Sequence, residues 1–187
     1  MKTVLYDEHI ALGARMIDFG GWEMPVQYEG IIAEHLHTRS AATIFDTCHM
    51  GRFFISGKTA ADDLQRLFTA DVKSLAIGRC RYGFMLKPDG GVLDDLITYR
   101  LDDERFMVIV NAGTAAKNEA WIREHLTAET SFDNASERTA KMDLQGPLSR
   151  EVLQPMVAAD LASLRYFSFC ETEIAGFGGK VSRTGYT

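Results

Sequence analysis

The stretch GGVLDDLITYR, Gly90 to Arg100, decides how the chain is read. Its two glycines mark a turn, and the residues after them alternate as a β-strand does. Leu93, Asp95, Ile97, Tyr99 and Leu101 then share one face, and Val92, Asp94, Leu96, Thr98 and Arg100 share the other. On this pattern Asp94 lies in a mixed row and Asp95 in an apolar one. An ionised carboxylate among Leu, Ile and Tyr is costly unless a partner offsets its desolvation.

The neighbouring segments extend the strand into a unit. RYGFMLK, a turn through Pro88, Asp89, Gly90 and Gly91, then VLDDLITYRL, a short acidic turn and RFMVIVNA predict three strands in an antiparallel meander. Upstream, MGRFFISG reads as a strand closed by Gly57. Thr59 offers an N-cap with Asp62 three residues on, and Ala60, Ala61, Leu64, Leu67 and Phe68 form one helical face. Downstream, Thr114 can cap a helix, AAKNEAWIREHL, with Ala115, Ile122 and Leu126 near one face. Met50 to about Leu126 is therefore an α+β unit of strand, helix, three strands and helix.

On the N-terminal side, GIIAEHLHTRSAATIFD places Ile31, Ile32, Leu36 and Ala41 at helical spacing, which predicts an amphipathic helix packed on a sheet. After Leu126, TAETSFDNASERT is read as a polar connection. Ala140, Met142 and Leu144 alternate as in a strand, and Pro147 suits the first position of a helix, PLSREVLQPM. The tail predicts strands around a Gly-rich turn. No internal repeat or low-complexity segment is present.

Composition narrows the function classes. The 187 residues are 46% hydrophobic and 25% charged, an ordinary globular balance for one or two domains. Net charge is −6 with no basic block, which disfavours a nucleic-acid partner or an anionic membrane surface. Cys48, Cys80 and Cys170 are widely spaced and lack a Cys-x-x-Cys pair, so neither a disulfide framework nor a zinc site is indicated. No signal-type or membrane-length apolar run occurs, and a cytosolic or organelle-matrix setting is expected.

Asp95 is the sharpest chemical signal. It reads as a buried structural acid paired with Arg79, Arg81 or backbone amides, as a residue moved to the surface by a bulge, or as an acid or base in a cleft. In the last case Tyr82 and Tyr99 would supply an aromatic wall and Asn111 an amide, a set that suits a flat heterocycle with N–H donors and carbonyl acceptors. His35 and His37 fall on different sides of a helix, so a shared metal is not expected, and His9 has little claim. Cys48 and His49 are adjacent on an extended chain and point apart, which argues against a thiolate pair, and Met50 reads as core or pocket wall. AGFGGK matches no dinucleotide or phosphate loop, and there is no Gly-x-Ser-x-Gly or His-Glu-x-x-His motif.

The strings LYDEHIALGARMIDFGGWEMPVQY, FDTCHMG, GGVLDDLITYR, VNAG, LQGP and SRTGYT, in this order, resemble the aminomethyltransferase (T-protein) family of the glycine cleavage system. The resemblance runs along the whole chain and covers about half of that family's length. It implies a folate-binding aminomethyltransferase-type fold, α+β with two mainly antiparallel sheets and flanking helices, incomplete at the C-terminus. It also implies a discontinuous first domain, residues 1–48 and 138–187, a second domain, 49–137, and a C-terminal barrel-like domain outside this chain.

The activity implied is transfer of the methylene of an aminomethyl-lipoyl group, carried on the lipoylated H-protein, to tetrahydrofolate with release of ammonia. Asp95 matches the family's essential aspartate. Met50, Tyr82, Tyr99, Asn111 and Tyr186 match or line folate-contacting positions, no metal is implied, and further folate contacts would lie beyond Thr187. Cys48 replaces a common serine. The setting would be cytoplasmic, or the mitochondrial matrix in a eukaryote. A folate-dependent demethylase of the same superfamily and a non-catalytic folate-binding protein are the alternatives.

Overall fold

The computed structural model describes residues 1–185. The chain forms two compact units, one of Met1–His49 with the chain from Ala140 onward, the other of Met50–Thr139. Among the described residues no helix is long and apolar enough to cross a membrane.

The second unit is built on a five-stranded antiparallel sheet. In chain order its elements are β4 (Gly51–Ser56), α3 (Ala60–Leu67), β5 (Cys80–Leu86), β6 (Val92–Arg100), β7 (Arg105–Val110), α4 (Ala115–His125) and β8 (Ser131–Asn134), and the sheet order is β5-β6-β7-β4-β8. The predicted meander is β5-β6-β7. The polar run after Leu126, expected to be a connection, contains β8, which pairs Phe53–Ser56 through Ser131–Asn134. Its single apolar residue, Phe132, packs on Phe53 with ring centroids 5.0 Å apart, so the strand forms by edge pairing rather than by its own pattern.

One face of this sheet carries the core. Phe53, Ile55, Met85, Leu96, Phe106, Val108 and Val110 pack against Leu64 and Leu67 of α3 and Ile122 of α4. Both helices form where expected, but neither uses its predicted cap. The Thr59 hydroxyl meets those of Thr127 and Thr130 at 2.6 and 2.9 Å, and the Thr114 hydroxyl donates to Asp94 at 2.6 Å. Each threonine is drawn to a tertiary partner in place of its own helix.

The first unit consists of α1 (Tyr6–Ala11), β1 (Arg15–Phe19), β2 (Trp22–Gln27), α2 (Ile31–Ser40), β3 (Thr43–Asp46), β9 (Met142–Gln145), α5 (Ser149–Leu153), β10 (Ser168–Ile174) and β11 (Phe177–Arg183). Its strands form three two-stranded antiparallel ladders, β1-β2, β3-β9 and β10-β11. The first is closed by Gly20 and Gly21, both at positive φ, as a two-residue hairpin requires. Pro147 precedes α5 by two residues instead of opening it.

Helix α2 forms, but not as predicted. Ile31, Ile32 and Leu36 are exposed, and the buried residue is Thr38. Its start is organised by Glu34, whose carboxylate accepts the backbone N–H groups of Tyr28, Glu29 and Gly30 at 2.7–2.9 Å. These bonds, that of Gly30 foremost, hold its carboxyl below the ordinary value.

Candidate functional site

The site residues gather at one end of the five-stranded sheet. Val110 pairs with both Leu96 of β6 and Gly51 of β4. One residue beyond this row in each strand lie Asn111, Asp95 and Met50, while Phe84 of β5 pairs directly with Asp95. Tyr82 shares the face of Asp95 and Phe84, and its ring stands edge-on to that of Phe84 at 5.5 Å. Both rings are exposed, Tyr82 by 48%.

The expected burial of the two aspartates is reversed. Asp94 is the buried one, 8% exposed, on the core side with Leu96 and Thr98, whereas Asp95 is half-buried on the opposite side with Ile97 and Tyr99. The alternation holds from Asp94 onward, and a bulge before it displaces Leu93. Met85 pairs with Asp94 and Leu86 with Val92, leaving Leu93 unpaired, so that Leu93 turns into the core and leaves the row of Asp95. A strict two-residue period across the bulge misassigned Leu93.

Four donors meet the Asp94 carboxylate. Its Oδ1 accepts Asn111 Nδ2 at 2.8 Å, and its Oδ2 accepts the Thr114 hydroxyl at 2.6 Å, the Asn111 backbone N–H at 3.3 Å and Asn118 Nδ2. Burial alone would raise its pKa. The hydrogen bonds of Thr114, Asn111 and Asn118 outweigh burial and hold it below the ordinary carboxylate value. The start of α4 favours the same negative charge.

Asp95 is held differently. Its Oδ1 accepts Asn111 Nδ2 at 2.9 Å, so one amide group serves both carboxylates. The arginines considered as partners lie elsewhere, with Arg81 donating to the Asp71 carbonyl and the Ser74 hydroxyl. The structure therefore brings together Asp95, Asn111 and Tyr82, with Met50 aligned at the same sheet end. Tyr99 lies on the Asp95 face but four residues along the strand and is 5% exposed. Tyr186 lies outside the described residues.

Sequence reasoning missed Asp94, Phe84, Thr114 and Asn118 as parts of this site. A signal for Asn118 existed, since it stands between Ala115 and Ile122 on the apolar stripe of α4 and is fully buried. Of the cysteines, none in a disulfide among the described residues, Cys48 donates its thiol to the Lys141 carbonyl at 3.3 Å, and burial pushes the Cys80 thiol up to about 11. His49 packs on Phe19 and Trp22.

The fold is of the mixed α+β class, with antiparallel sheets and flanking helices. Superposition on the glycine cleavage system aminomethyltransferase T of Bartonella henselae gives a TM-score of 0.87 at 33% identity, covering 92% of this chain and 48% of that one. A heterotetrameric sarcosine oxidase from Corynebacterium shares the fold alone, with a TM-score of 0.57 at 17% identity over 85% of this chain and 83% of its own. Residues 5–187 match the GCVT N-terminal domain, and the chain belongs to that family. Aminomethyltransferases of Desulforamulus reducens and Bacillus subtilis are 45% and 41% identical over all of this chain and 51% and 52% of their own lengths. The chain thus spans about half the length of the curated relatives it matches.

Proposed function

We propose that this chain contributes to an aminomethyltransferase of the glycine cleavage system, acting on tetrahydrofolate and the lipoylated H-protein, in the bacterial cytoplasm or the mitochondrial matrix. The observation that carries this reading is the Asp95–Asn111 pair beside exposed aromatic rings in a chain 45% identical throughout to an aminomethyltransferase and 33% identical to a glycine cleavage system aminomethyltransferase T. Tetrahydrofolate fits the groups present. Among the described residues the second Asp95 oxygen and the Asn111 side-chain carbonyl have no protein donor, so both can accept N–H groups of a flat ring. Tyr82 and Phe84 offer aromatic surface on the same side, with Met50 and Tyr99 as further candidate pocket residues and Tyr186 a candidate by resemblance.

Bound tetrahydrofolate would supply the nitrogens that take up the methylene. In this reading Asp95 is the catalytic residue. Its carboxylate hydrogen-bonds the folate near the reacting nitrogens, stabilises positive charge developing there and assists proton movement as ammonia leaves. Asn111 holds that carboxylate toward the ligand.

The test is ammonia release from aminomethylated H-protein by the protein as its source makes it. Asp95→Asn should lower turnover about a hundred- to ten-thousand-fold while tetrahydrofolate still binds. Unchanged turnover would remove Asp95 from this role, and no release by the parent would overturn the activity.

A further inference from the structure

Asp94 and Asp95 are adjacent acids that play unlike parts. Asp94 is shielded from solvent, and its two oxygens are already bonded by Asn111, Thr114 and Asn118. Ligand contact is thereby left to Asp95. What Asp94 can do is dictate the posture of a neighbour.

That neighbour is Asn111. Its NH2 group has two hydrogens, and two carboxylate oxygens take them, Asp94 Oδ1 at 2.8 Å and Asp95 Oδ1 at 2.9 Å. The opposite orientation of the amide would set its carbonyl oxygen against two acceptors and is repelled. Asp94 is in turn fixed at the start of α4, by the hydroxyl of Thr114, the residue before the helix, and by Asn118 within it, which is fully buried.

We propose that Asp94 is a positioning residue that locks the Asn111 side-chain amide, NH2 inward and carbonyl outward, and so orients Asp95 and presents paired acceptors to a ligand's N–H donors. Constraint passes from α4 to Asp94, to Asn111, to Asp95. The importance of the ligand rests on the folate reading above, whereas the lock itself does not. An amide in place of the Asp94 carboxylate could pair with Asn111 in either sense, which would free the second orientation and deprive Asp95 of its donor.

The lock is tested on the Asn111 side-chain amide protons by ¹⁵N-resolved NMR of the 187-residue chain. In Asp94→Asn their exchange with water should rise about tenfold, the loss of roughly one net hydrogen bond. Thr114→Val should give a smaller rise, and Thr114→Ser, which keeps the hydroxyl, should return it toward the parent rate. Should Asp94→Asn fail to fold, the two Thr114 variants decide. Unchanged Asn111 exchange in a folded Asp94→Asn chain, or equal exchange in Thr114→Val and Thr114→Ser, would overturn the proposal. A tetrahydrofolate titration of the protein as its source makes it, parent and Asp94→Asn, separates the two readings. Weaker binding in Asp94→Asn supports both, whereas no binding by the parent with altered Asn111 exchange overturns the folate reading and leaves the lock standing.

Discussion

In the unit that starts at Met50, Phe53, Ile55, Phe106 and Val108 meet Leu64 and Ile122 in one contiguous core. In the other, Ile31, Ile32, Leu36, Ile44 and Phe177 are exposed, Phe177 by 79%. The difference follows from sheet width. Five strands backed by two helices enclose apolar side chains, whereas three separate two-stranded ladders offer no broad face to pack against. The first unit instead ties its segments with polar clamps. His9 of α1 bonds the Asp46 carboxylate at 3.0 Å and the Tyr28 hydroxyl at 2.8 Å, joining α1, β3 and the residue after β2. Apolar burial therefore sets the robustness of the second unit, and directional bonds set that of the first.

The largest effect that would break this comparison is a core truncation. Phe53→Ala or Phe106→Ala should cost about 3–5 kcal/mol, while Phe177→Ala should stay within about 0.5 kcal/mol. Urea unfolding of the three variants checks this, and similar costs would show that Phe177 is as well packed as the core.

Next come matched steric lesions, one per unit. Gly57 and Gly146 sit at φ of +138° and +121°, and a Cβ would strike the Glu129 carbonyl at the first and the Ala41 carbonyl at the second. Gly57→Ala and Gly146→Ala should each lose more than about 2 kcal/mol in urea unfolding, since the colliding atoms are backbone. A cost at Gly57 alone would mean that the first unit yields without penalty.

The buried acids Asp46 and Asp63 compare the units in acid. Burial raises both carboxyls, but at Asp46 the Thr3 side chain, the Cys48 amide and His9 overcome it, and at Asp63 Thr130, Thr127 and Arg66 do so. A lowered folded-state pKa stabilises the fold above the unfolded value of about 3.9 and is lost as pH falls through the folded value. The urea midpoint should therefore decline below about pH 5. Asp63→Asn and Asp46→Asn should each have a lower midpoint at pH 6 and a flatter decline, and parental slopes in both would contradict it.

The smallest expected effect is Tyr28→Phe, about 0.5–1.5 kcal/mol, seen as faster amide exchange in α1 with the second unit unaffected. Burial, then the charges of Glu34 and Asp46, raise the Tyr28 pKa, so the phenol stays protonated through neutral pH. Protection of α1 that is indifferent to this change would show that the clamp contributes little.

Much of the second unit was legible because its strands and helices each alternate or repeat on their own. The hairpin closed by Gly20 and Gly21 was legible in principle, with alternating residues on either side, and went unread. Strand β8 was not, since Ser131, Asp133 and Asn134 carry no apolar pattern and form a ladder only because β4 offers an edge. At the candidate site, face and strand order in the sequence point to Asp95, Tyr82 and Asn111 as neighbours, whereas the mixed row of Asp94 gave no sign of its burial.

The sequence by itself determined the β5-β6-β7 meander, the two helices that back the sheet and the marked acid in LDDL, because these depend on local periodicity and turn residues. Only the tertiary structure decided which aspartate is buried. A one-residue bulge turns Leu93 inward, α4 brings Thr114 and Asn118 to Asp94, and Asn111 arrives from the next strand to join both acids. Those partners lie about 16–24 residues away in the chain, so no period within a single strand could reveal them.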